Sequence, residues 1–273
     1  MIANLNIMRK QTPLVIIAML FFAGISSLAE PFEVPPMGHK EEGTIVTTYK
    51  EGGIRWKADW ISERYVENGE PEFKLVFKAK GLTSPFSEDM TWEYISVWKA
   101  EEDFTPLESE TRIKDMSGKL VRIDKKNFDQ AKGTAVFERE DLSDSGSIKK
   151  QYDITTGTLI LEGMVYALRS LPFSTQGSIK AQLLTNEPEL YKVEFKQKGI
   201  EKIKTDDGEI ECYKVELVPK LGLLGVFKVF FPKTYFWFTV APPHRWVRYE
   251  GLENGLGTPE VIMDVVKYKE ISN

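Results

Sequence analysis

The sequence has one cysteine, Cys212, and two histidines, His39 and His244, among 273 residues. A single cysteine excludes an internal disulfide, so stability must come from packing. A Cys–His nucleophile pair would need Cys212 beside one of the two histidines. Cys212 instead stands in Ile210–Val215, an alternating segment in which it reads as a small packed hydrophobe. No His, Cys and acidic residues share the spacing of a zinc site, and P-loop, G-x-G-x-x-G and G-x-S-x-G motifs are missing. Catalytic, cofactor-binding and metal-binding residues are accordingly read as none. A basic block is also lacking. At a formal charge of −5 the chain has no electrostatic footprint for nucleic acid or an anionic membrane.

A run long enough to span a bilayer is missing too. Leu14 to Ile25 gives 12 residues, against about 20 for a transmembrane helix. Arg9 and Lys10 precede that run, and Ser27 and Ala29 follow it. This is the pattern of a cleavable secretory signal over residues 1–29, with cleavage before Glu30. Losing two cations and no acid moves the formal charge from −5 to −7. No cysteine follows the apolar run, so a lipoprotein is not expected. The mature chain is expected to be soluble, with no transmembrane segment after cleavage.

What remains is rich in aromatics and in period-two alternation. Glu30 to His39 carries three prolines and reads as an extended leader; residues 40–273 read as one β-rich domain. Ile54–Trp60 alternates apolar and charged residues without a break. Phe73, Leu75, Phe77 and Ala79 repeat the pattern, as do Met90, Trp92, Tyr94 and Trp98. Such segments are half-buried antiparallel strands. Asn68-Gly69, Ser117-Gly118 and Asp207-Gly208 supply hairpin turns between them. Roughly a dozen strands are expected. Between Thr155 and Leu171 the apolar residues step by three and four, which predicts a helix of about four turns ending before Pro172. The predicted fold is mostly β: a large curved antiparallel sheet, as a half-barrel or two packed sheets, with one helix inserted near 155–171.

Carboxylates such as Glu138 and Glu140 read as solvated, and Asp141–Ser147 lacks the acidic ladder of a calcium loop. The segment Leu221–Val240 differs from the other strands, since large apolar groups occupy both faces of Val226–Phe231. Such strands need cover on both sides. Either they pack into a core or they wall a cavity with Trp246–Tyr249. The candidate ligand-binding residues are Phe227, Phe231, Trp237, Trp246, Arg248 and Tyr249.

Tyr152-Asp153 leading to Tyr166–Phe173, the hairpin ending Gly208–Val215, and the run Phe236–Phe238 through Arg245–Gly251 together resemble the exported bacterial family known as domain of unknown function 3108. The resemblance covers roughly residues 40–270 and is best in the second half. It implies a periplasmic, cell-envelope protein of Gram-negative bacteria with no established activity. The architecture is also distantly similar to periplasmic lipoprotein carriers. The leading expectation is a non-catalytic protein that binds an apolar molecule, such as a lipid or lipid-linked envelope component. A structural or protein-interaction module of the envelope, with a protein partner, is the alternative; a hydrolase-type enzyme ranks third, because nothing supplies a nucleophile–base pair.

Overall fold

The computed structural model describes residues 31–143, 146–173, 177–206, 208–220, 232–255 and 257–271. The expected signal peptide, Phe227, Phe231 and Asp207 lie outside them. Eight strands come first: β1 (Lys40–Tyr49), β2 (Ile54–Glu67), β3 (Glu70–Leu82), β4 (Asp89–Ala100), β5 (Phe104–Asp115), β6 (Leu120–Asp129), β7 (Thr134–Asp141) and β8 (Gly146–Asp153). A short crossover follows, with β9 (Thr158–Ile160), α1 (Met164–Ala167) and a 3-10 turn at Leu168–Ser170. Six more strands complete the described residues: β10 (Ser178–Leu184), β11 (Leu190–Thr205), β12 (Gly208–Pro219), β13 (Thr234–Thr239), β14 (Trp246–Leu252) and β15 (Glu260–Ile271).

All fifteen belong to one sheet, ordered β8-β7-β6-β5-β4-β3-β2-β1-β15-β14-β13-β12-β11-β10-β9. Neighbours are antiparallel except β9 and β10, which are parallel and need the helical crossover between them. The sheet's two edge strands, β8 and β9, are consecutive in sequence. Laid flat, fifteen strands would set these edges about 65 Å apart. The few residues from Asp153 to Thr158 reach at most about 18 Å. The sheet must therefore curl until its edges face each other.

Side chains close the seam in place of a ladder. Arg139 Nη2 donates to the Asn186 carbonyl at 2.7 Å, and Lys150 Nζ to that of Pro188 at 3.2 Å. The Tyr152 hydroxyl also donates to Pro188. The leader is docked as well: Phe104 N–H donates to the Phe32 carbonyl at 2.8 Å, and Phe32 is fully buried.

Alternation gives much of this directly. Phe73, Leu75, Phe77 and Ala79 all face the interior core. The Asn68-Gly69 turn has positive φ at both residues, 52° and 91°, as a tight hairpin requires. Two expectations need correction. The helix expected over 155–171 is confined to Met164–Ala167 and its 3-10 extension. Leu159 and Ile160 are instead a fully buried strand beside Leu183 and Leu184, and short apolar runs of this kind do not distinguish helix from strand. Gly163 then turns the chain at φ 106° and N-caps α1; a Cβ there would lie 2.7 Å from Trp98 Nε1.

The second correction is in Ile54–Trp60. Thr47 pairs with Trp56 and Thr48 with Ile54, so Arg55 is the extra residue of a bulge. The bulge re-aims it: Arg55 is buried and Ile54 is exposed.

Candidate functional site

Curling the sheet leaves a cavity of about 210 Å³ on its inner face. Trp56 and Trp60 from β2, Phe77 from β3, and Trp92 and Tyr94 from β4 form one wall. Phe236, Trp246 and Tyr249 from β13 and β14 contribute to the lining, and Tyr166 comes from α1. Several rings support one another. Phe77 and Tyr94 stack with centroids 4.6 Å apart, Trp56 meets Trp92 edge-on at 5.6 Å, and Phe236 meets Tyr249 at 5.1 Å. Burial pushes the Tyr94, Tyr166 and Tyr249 hydroxyls well above the ordinary phenol range. These phenols stay neutral at physiological pH.

Three buried ion pairs set the electrostatics around this space. Arg169 forms a fork with Glu41, Nη1 and Nη2 reaching the two carboxylate oxygens at 2.8 and 2.9 Å. Lys126 Nζ donates to both Glu162 oxygens at 2.7 Å and also to Asn186 Oδ1. Arg55 Nε donates to Glu253 at 2.7 Å, and the same carboxylate accepts from Trp56 Nε1 at 2.9 Å and Ser84 N–H at 2.9 Å. Arg169, Glu162 and Glu253 are all cavity-lining residues. Each charge has its counter-charge at hydrogen-bond distance, so the interior presents dipoles in place of net charge.

Among the described residues, two buried nitrogens of cavity-lining side chains, Trp60 Nε1 and Arg169 Nε, have no hydrogen-bond partner. These residues are 8% and 3% exposed. An unsatisfied buried donor costs about 1–3 kcal/mol.

The sequence candidates divide between the two faces of the sheet. Trp246 and Tyr249 line the cavity. Trp237 lies on the outer face, in a small cluster with Ile203, Cys212 and Val247, and donates to Glu201 at 3.0 Å. Arg248 pairs with Asp264 at 2.6 Å, opposite Trp237 on that same outer face. Phe227 and Phe231 fall outside the described residues. Sequence reasoning missed Trp56, Trp60, Phe77, Trp92 and Tyr94 as cavity residues. Their alternation showed that they face inward, but a packed core gives the same signal.

Catalytic geometry is not found among the described residues. Cys212 sits on the outer face, whereas His244 packs against Phe173 and Tyr213 of the inner core. Among the described residues no group of three or more His, Cys, Asp or Glu is arranged to hold a metal ion. Asp141, in the segment weighed for calcium, is held by the Ser143 hydroxyl at 2.6 Å and Arg122 at 2.9 Å. No described helix is long and apolar enough to cross a membrane.

Comparison with known proteins matches residues 46–255 to a family described as proteins of unknown function, DUF3108. Two solved structures align with 88% of this chain and all of their own. One is a protein of YmcC-like fold described as exported, from Bacteroides fragilis, at 10% identity and a TM-score of 0.36. The other is described as a lipoprotein, from Parabacteroides distasonis, at 8% identity and a TM-score of 0.34. No curated protein matches the chain.

Proposed function

We propose that this chain, which belongs to the DUF3108 family, is a non-catalytic protein of the cell envelope that holds an apolar ligand inside its curled sheet. The observation that carries the reading is the aromatic cavity. Ligand sites are concave and mostly apolar, with a few placed polar groups, and the ring-lined space with its paired interior charges has that character. Its size limits the occupant. About 210 Å³ exceeds the roughly 150 Å³ of a cavity that takes benzene, and lies below the roughly 300–1,000 Å³ of sites for drug-sized ligands. One ring or a short acyl segment fits inside it. Export to the periplasm is part of the proposal and rests on Arg9, Lys10, the short apolar run, Ser27 and Ala29.

Fluorescence titration of the mature protein with 1-aminonaphthalene tests the reading. Saturable binding at one site is expected, with blue-shifted emission. Native mass spectrometry of protein taken from the periplasm should show a small apolar adduct. A protein that neither binds the probe nor carries an adduct overturns the proposal.

One observation favours an interaction module as the second reading. Ile54, Met116 and Leu142 are 60%, 50% and 47% exposed. They lie at or beside the β1–β2, β5–β6 and β7–β8 connections, which share one end of the meander. A stable protein partner recovered with the envelope, and lost on replacing these three by Ser, would support that reading.

A further inference from the structure

We infer that the ligand enters and leaves under the β3–β4 connection, residues 83–88, which acts as a strap over one end of the cavity and is latched on Glu253. The inference rests on the apolar-ligand reading above and adds its route.

The strap reaches across the curl. Along the sheet, β2, β1 and β15 separate β3 from β14. Yet Ser84 N–H donates to Oε2 of Glu253, just past β14, at 2.9 Å. Two more bonds hold the same residue: Arg55 Nη2 donates to Ser84 Oγ at 3.1 Å, and Asn254 Nδ2 to the Ser84 carbonyl at 3.2 Å. On its other side the strap meets β6, where the Arg122 guanidinium carbon lies 5.0 Å over the Phe86 ring. Thr83, Glu253 and Asn254 all line the cavity, so the latch closes one end of it.

The other end is closed by α1. Trp56 of β2 meets the latch through Glu253, whereas Ser62 of the same strand meets Tyr166. Six residues of strand put these ends about 20 Å apart. The α1 end is built to stay shut. Trp98 stacks on Phe104 there at 4.7 Å, and Leu168 is fully buried. Moving the crossover would uncover that packing and break the Glu41–Arg169 fork, leaving a buried charge without its partner.

Lifting the strap costs less. When Ser84 leaves, Glu253 keeps Arg55 Nε at 2.7 Å and Trp56 Nε1 at 2.9 Å, so no buried charge is orphaned. The Ser84 groups exchange their bonds for water, at the small net cost of such an exchange. Pro85, Ser87 and Glu88 are already exposed. The seam between the sheet edges is the rival route, but no residue of β7 or β8 lines the cavity.

The test is kinetic. In a Cys212→Ser background, Ser84→Cys with Asn254→Cys is bridged by a short bis-methanethiosulfonate reagent. Stopped flow then follows 1-aminonaphthalene association and release before bridging, after it and after reduction. Bridging should slow both rates at least about tenfold, and reduction should restore them. The dissociation constant should move by less than about twofold, because entry and exit pass through the same open state. The same bridge across the seam, between Lys150→Cys and Glu189→Cys, should leave both rates as they were. Ser84→Ala removes one of the three bonds and should raise both rates about three- to fivefold. Should the bridged pair not fold or not close, that single variant decides, and wild-type rates in it overturn the strap. Rates untouched by the bridge at 84 and 254, or slowed by the seam bridge instead, overturn the route and leave the apolar cavity standing. A weaker affinity with an unchanged association rate also overturns it, since these residues would then touch the ligand without gating it. Failure of the probe to bind the unbridged protein removes the apolar reading and this one with it.

Discussion

Trp246 and Tyr249 lie three residues apart on one strand and both face the interior. Simple alternation would put them on opposite faces. Phe238 pairs with Trp246 and Trp237 with Arg248, so Val247 is an extra residue on β14. A bulge of this kind turns a strand locally. Val247 and Arg248 both go to the outer face, and the next inner position falls at Tyr249.

The two tryptophans on either side of that bulge should respond differently to truncation. Trp237 is 3% exposed and packed in the outer cluster, so Trp237→Ala should cost about 3–5 kcal/mol in chemical denaturation. Its affinity for 1-aminonaphthalene should change by less than about twofold. Trp246→Ala removes a cavity wall with open space beside it. Its stability loss should be under about 2 kcal/mol, with at least about fivefold weaker probe binding. The opposite pattern in titration and denaturation would move the binding site to the outer face.

How much of this was legible from sequence depends on whether a local rule governs the residue. Phe73 to Ala79 alternates inward because β3 keeps an unbroken register with β2. Arg55 broke the same rule because a bulge in the β1–β2 pairing shifts it inward, and no residue type in Ile54–Trp60 announces a bulge. The aromatic run Tyr235–Phe238 drew attention to β13 and β14, yet Trp237 and Arg248 face away from the cavity. Glu41 and Arg169 are 128 positions apart, and only the curled sheet brings them together. Sequence showed what the strands of unbroken register bury; it did not show that two walls of rings leave a space between them.

The Glu41–Arg169 fork is 0% and 2% exposed at its side chains. Replacing one partner should therefore leave a buried charge uncompensated. Glu41→Gln is expected to cost about 3–5 kcal/mol in urea denaturation. Adding Arg169→Met should restore much of the loss, because the orphaned guanidinium is removed. A double variant as unstable as the sum of its single changes would show that the two residues do not act as a pair.

Cys212 is fully buried in the outer cluster, and burial pushes its thiol up to about 11. The thiolate is the reactive form, so the native protein should be nearly inert to iodoacetamide at pH 8. Unfolding in urea should expose the thiol and allow complete modification. Cys212→Ser should keep probe binding, at a modest loss of stability. Rapid alkylation of the folded protein would contradict this placement.

Acid stability gives a test of the β7–β8 end of the sheet. The Asp141 carboxylate accepts from the Ser143 hydroxyl at 2.6 Å, Arg122 at 2.9 Å and the Ser143 N–H at 3.1 Å. The Ser143 hydroxyl first, then Arg122, holds it down to about 2. Its pKa is thus lower folded than unfolded, where an ordinary aspartate titrates near about 3.9. The stabilisation is fully present above the unfolded value and is lost as pH falls through the folded one. Asp141 is 19% and Arg122 12% exposed at the side chain, so some solvent screening remains. A contribution of about 1–2 kcal/mol at neutral pH is expected. Glu194, also held down to about 2, titrates in the same window, so wild-type stability alone does not isolate Asp141. The difference between wild type and Asp141→Asn does. That difference should be constant above about pH 5 and shrink steadily between about pH 4 and pH 2. A difference that stays constant down to pH 2 would mean that the Ser143 and Arg122 contacts do not favour the ionised carboxylate.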